Sequence, residues 1–196
     1  MIRTSKTYYL IISALGIVLN IVLGTVVASF KIPLLFLDTI GTIFVAVLLG
    51  PFYGAVAGGL TNIIQGMITN PKNIPFAIVN IAIGLVVGYI AKKYKFNYKV
   101  AFITGIIIAI LAPLIGTPIA VYVYGGLTGG GTDLIFAWLL KSGRSIFTAA
   151  FIPRIYGNLI DKIASTLIVV FLLNRLSVVF KNNSSFDLDT LGDKNE

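Results

Sequence analysis

Residues 153–165 read PRIYGNLIDKIAS, and that run decides what the rest of the chain must build. Arg154, Asn158, Asp161 and Lys162 fall within nine residues, at the head of an apolar segment that continues to about Leu173. Arg154, Asn158, Asp161 and Ser165 stand at i, i+4, i+7 and i+11, one face of a helix, with Lys162 beside it. In a water-soluble protein such a stripe would be a solvated surface. Here 57% of 196 residues are hydrophobic, 11% are charged and the mean hydropathy is +0.97, whereas a soluble domain carries about a quarter charged residues. The solvent is therefore a bilayer. A charge near its centre costs about 2.5–3.5 kcal/mol even on a lenient scale, so the stripe must face other helices or a watery cavity, or lie shallow enough to snorkel.

Working outward, several function classes drop away. The net charge of +8 has no basic, aromatic-interleaved patch behind it, so nucleic acid is not an expected partner. The chain holds no Cys and no His, which removes disulfides, thiol chemistry and the usual general base and metal ligand. No metal site is expected. With no Glu before Glu196 and no Asp-rich motif, an intramembrane enzyme lacks its usual catalysts. The glycines of GGLTGGGTD (125–133) are not followed by Gly-Lys-Ser/Thr, so they form a flexible loop and no phosphate cradle. No cofactor is expected either.

A helix crossing a core of about 30 Å needs about 20 apolar residues. Six segments qualify, at about 8–30, 34–50, 52–69, 75–91, 100–122 and 153–173, with Gly50-Pro51 as a tight turn and NPKN (70–73) as a loop. The fold class is an all-α integral membrane bundle over residues 1–180, followed by a polar, disordered cytoplasmic tail at 181–196. The first apolar run has no small-x-small cleavage site and reads as an uncleaved span. With the N-terminus inside, eight bases fall on the cytoplasmic side (Arg3, Lys6, Lys92, Lys93, Lys95, Lys99, Arg175, Lys181). Four fall outside (Lys31, Lys72, Lys141, Arg144), which favours both termini in.

Asp161 then lies about 12 Å into the last span from the outer face, at 1.5 Å per residue. Asn62 and Gln65 on the third span, Asn80 on the fourth and Asp38 at the start of the second lie at a similar depth. Pro113, Gly116 and Pro118 are expected to interrupt the outer half of the fifth span and free its carbonyls. The inner halves are apolar, so the pattern describes a cup open to the outside with a closed floor. Packing competes with this reading. Gly54, Gly58 and Asn62, like Asn80, Gly84 and Gly88, are ridges of small residues that bring helices close. Asp161 and Lys162 suit a structural ion pair as well as a ligand. Arg154 suits an interface anchor, and Trp138, Tyr122 and Tyr124 suit an aromatic belt. Asp133 is placed to cap a short helix carrying Trp138.

The runs IISALGIVLNIVLG, LDTIGTIFVAVLLGPFYGAVAGGLTNIIQGMI, FAIVNIAIGLVVGYIAKK and IDKIASTLIVVFLLNRL resemble, in this order, the substrate-binding S components of energy-coupling factor (ECF) transporters, closest to members of unassigned substrate. The resemblance covers the chain to about residue 176. It implies a subunit of the bacterial plasma membrane that captures a vitamin-like, water-soluble nutrient outside. It also implies partners: a transmembrane coupling subunit and two ATPase subunits, consistent with the lack of a Walker A sequence here. Candidate ligand contacts are Arg154, Asn158, Asp161, Lys162, Asn80, Asn62, Gln65 and Asp38. Trp138, Tyr122, Phe147 and Phe151 are available to stack on a ring. The family's docking patch on the first helix maps to Ser13, Ala14 and Gly16, with Ile17 and Val18 where the second small residue of Ala-x-x-x-Ala would stand. A stand-alone channel or secondary transporter is the alternative, weakened by the apolar inner half and the lack of an inverted repeat.

Overall fold

The structure, a computed structural model, describes residues 6–30, 32 and 34–182, apart from the side chains of 177–182. Arg3, Lys31 and the expected tail beyond residue 182 lie outside the described residues. Among the described residues seven α-helices follow in order: α1 (Lys6–Ser29), α2 (Ile40–Leu49), α3 (Pro51–Ile68), α4 (Ala77–Lys93), α5 (Tyr98–Tyr124), α6 (Asp133–Lys141) and α7 (Ile146–Asn182). A 3-10 turn over Pro71–Phe76 leads into α4. There is no strand among the described residues. Among the described residues, three helical stretches are long and apolar enough to cross a membrane: Lys6–Ser29, Pro71–Lys93 and Tyr98–Tyr124. This is a membrane protein.

Small residues set the packing. Gly16 of α1 meets Gly41 of α2 so closely that a Cβ on Gly41 would collide with the Gly16 carbonyl. Gly84 of α4 lies against the backbone of Gly54 and Ala55 on α3, and Gly88 lies against Pro51. The glycine ridges therefore do pack, as small-xxx-small spacing expects. Asn20 ties three helices together. Its Nδ2 donates to Thr42 Oγ1 (2.8 Å) and Thr61 Oγ1 (3.1 Å), and its Oδ1 accepts from Gly41 N (2.6 Å). Below this, Ile43, Ile83, Val87, Ile108 and Val169 form a wholly buried apolar core shared by α2, α4, α5 and α7.

Three expectations are corrected. The second span does not start its helix at 34. Residues 34–39 are irregular, with Leu34 and Leu37 at φ 64° and 52°, and α2 has only 10 residues. The reason is a long-range tether: the Asp161 carboxylate accepts from the amides of Phe36 (2.9 Å) and Leu37 (2.7 Å), holding that backbone out of helix. The fifth span is not interrupted, because α5 runs unbroken through Pro113 and Pro118. Each proline removes one backbone donor, and the stretch they loosen (Ala112, Pro113, Gly116) lines a cavity. Finally, α7 begins seven residues before Pro153 and extends to Asn182, well past the expected 173.

Candidate functional site

A cavity of about 430 Å³ opens at one end of the bundle. Its wall takes the C-terminal end of α1, the α1–α2 linker up to Thr39, the C-terminal end of α3, the start of α4, the second half of α5 and the first half of α7. The helices α1, α3 and α5 thus contribute C-terminal parts and α4 and α7 N-terminal parts, with the linker entering α2 between α1 and α3, as in an up-and-down bundle. The volume is within the range of small-molecule sites. Its floor is the apolar core, reached through Ile83 and Ala112.

Two polar clusters meet this wall. In the first, Lys162 donates to Asp161 Oδ2 (2.7 Å), Asp38 Oδ1 (3.1 Å) and Thr39 Oγ1 (3.1 Å). An ammonium has three donors, so Lys162 is fully spent. Asp161, 0% exposed, spends its other oxygen on the Phe36 and Leu37 amides. Only Asp38, with 31% of its side chain exposed, keeps a carboxylate face towards the cavity. In the second cluster Asn80 Nδ2 donates to Asn62 Oδ1, and Asn62 Nδ2 donates to the Asn73 carbonyl (3.1 Å). Asn80 Oδ1 is buried with no partner. On α7, Asn158 Nδ2 donates to the Arg154 carbonyl (2.8 Å). Gln65 Nε2 reaches Thr25 Oγ1 at 3.3 Å.

The glycine loop lies over the cavity and is held in place. Asp133 accepts from Thr128 N (3.2 Å) and Gly129 N (2.7 Å), so its carboxylate braces the loop before α6 in place of the expected helix cap. Arg154 reaches the same loop through Gly126 O and Thr128 Oγ1 (both 3.4 Å), and donates to Ala150 O (2.8 Å). Lys72 donates to Leu127 O (2.9 Å).

The family model for the substrate-specific component of ECF transporters matches residues 8–173. The chain belongs to this family. No curated protein and no solved structure matches the chain. The family is that of the substrate-binding subunits of ECF transporters.

Seven of the eight polar residues named from the sequence as ligand contacts line the cavity of this S component: Arg154, Asn158, Lys162, Asn80, Asn62, Gln65 and Asp38. Asp161 lies behind the wall, sealed by its own bonds. Trp138 and Tyr122 are 67% and 84% exposed on the outside of the bundle and belong to no part of the wall. Phe147 and Phe151 stack on each other (centroids 6.0 Å) away from it. Arg154 is 7% exposed and points inward, so it is no interface anchor. The docking expectation is corrected in part. Ser13 and Gly16 are buried, and Gly16 serves the α1–α2 crossing; only Ala14 faces outward. The wall also includes Thr25, Ile32, Leu35, Phe36, Phe76 and Thr128, which sequence reasoning missed. Leu35 and Phe36 are hidden because that part of the linker reads as the start of an apolar span.

Proposed function

We propose that this S component is the capture subunit of an ECF-type ABC importer in the bacterial plasma membrane. It takes a small, water-soluble, vitamin-like nutrient into the cavity from outside and hands it to a separate coupling subunit with two ATPases. Asn80, Asn158, Asn62, Gln65, Asp38 and Arg154 are the proposed ligand contacts. In this reading α1 to α5 and α7 make six crossings, with α2 completed by its linker, and both termini lie inside. The lysines at the end of α4 support that orientation. The observation that carries the proposal is a cavity walled by polar side chains over an apolar floor, because a site that takes a solute without leaking it needs both. The same floor weighs against the channel alternative.

Native mass spectrometry of the chain from mild detergent tests this. A stoichiometric small-molecule adduct, shed on collisional activation, is expected. Solute flux through proteoliposomes holding the chain alone, with no ATPase module, would favour the channel.

A further inference from the structure

The direction of the amide chain at the cavity wall follows from one carbonyl. The Asn73 carbonyl can only accept, so Asn62 must turn its NH2 group towards it and its Oδ1 towards Asn80. Asn80 must then present its NH2 to Asn62, which leaves its own Oδ1 as the unpartnered atom. Reversing either amide would set oxygen against oxygen. Asn158 obeys the same logic on α7. Its NH2 is committed to the Arg154 carbonyl, and its Oδ1 has no hydrogen-bond partner among the described residues. Asp38 adds a carboxylate, an acceptor only.

The charges lean the same way. Lys162 is shared between two carboxylates and has no donor left. Arg154 is the other cation of the wall, and three of its five N–H donors are directed at the protein, at Ala150 O (2.8 Å), Gly126 O and Thr128 Oγ1 (both 3.4 Å).

Resting on the capture reading, we infer that the ligand is a donor-rich, neutral or singly cationic molecule: an amine, amide or amino-substituted nitrogen heterocycle. Its N–H groups satisfy Asn80 Oδ1, Asn158 Oδ1 and Asp38. A phosphorylated or multiply carboxylated ligand would bring like charge to Asp38 and leave the buried Asn80 Oδ1 unpaired, a mismatch that disfavours binding.

Three matched pairs test this by titration calorimetry on the full chain in mild detergent: nicotinamide with nicotinate, pyridoxamine with its 5′-phosphate, and thiamine with its pyrophosphate. In at least one pair the first member is expected to bind at least tenfold tighter than its anionic counterpart. Asn158→Leu should weaken that binding at least tenfold while leaving the unfolding temperature unchanged. Anionic members that bind equally or tighter, or an Asn158→Leu variant that binds normally, would overturn the inference. If none of the six binds while a co-purified compound of another class is found, the inference is overturned and capture stands. If no ligand emerges from either source, both fall.

Discussion

The two polar clusters at the cavity wall differ in one respect: the Lys162 cluster is finished and the asparagine cluster is not. Lys162, Asp161 and Thr39 satisfy one another and pin the α1–α2 linker to α7, so this group holds a wall in place. Among the described residues Asn80 ends on a buried oxygen without a partner, and Asn158 Oδ1 likewise accepts no hydrogen bond. Burying an unpaired acceptor costs about 1–3 kcal/mol, and that cost is tolerable where a ligand supplies the donor. In a membrane cavity, charge alone is therefore a poor guide to the binding group. Saturation is the better one.

The largest effect should come from breaking the finished cluster. Lys162→Met strands the buried carboxylate of Asp161, and loss of one partner of a buried pair costs about 3–5 kcal/mol. Thermal unfolding in detergent should show a large drop, and a change of less than about 1 kcal/mol would mean the cluster is not a brace. Asn20→Leu is next. It removes the acceptor for Gly41 N–H and the donor to Thr42 and Thr61, for an expected loss of about 1–3 kcal/mol in the same assay.

Asn158→Leu sharpens the contrast from the other side. Its one side-chain hydrogen bond among the described residues is to a carbonyl of its own helix, so stability should change by less than about 1 kcal/mol, while ligand affinity falls tenfold or more, about 1.4 kcal/mol. A variant that binds normally but unfolds early would put Asn158 in the brace. Trp138→Ala should have the smallest effect, with binding within about twofold of the parent, because that ring lies on the outside. A tenfold loss there would mean that α6 folds over the ligand.

Periodicity made the α7 stripe legible, since four residues at helical spacing must share a direction. The common depth of Asn62, Asn80 and Asp38 followed from where each span begins, and all three line the cavity. What stayed hidden were partners far away in sequence. Asp161 reads as a ligand contact until its carboxylate is seen on amides 125 and 124 positions away. Leu34 and Leu37 carry no sign of their left-handed backbone, so the apolar run from 34 reads as helix through the linker. Pro113 and Pro118 looked like a break, yet α5 is held by its neighbours and continues. Trp138 and Tyr122 had the right depth, but depth does not give the face of the bundle.

The most direct test is an experimental density map of the chain with its co-purified molecule. The account predicts a ligand in the cavity, with donors within hydrogen-bond distance of Asn80 Oδ1 and Asn158 Oδ1, while Lys162 stays on Asp161 and Asp38. A ligand anion bound to Lys162 with Asp38 displaced, or a small molecule seated anywhere but this cavity, would contradict it.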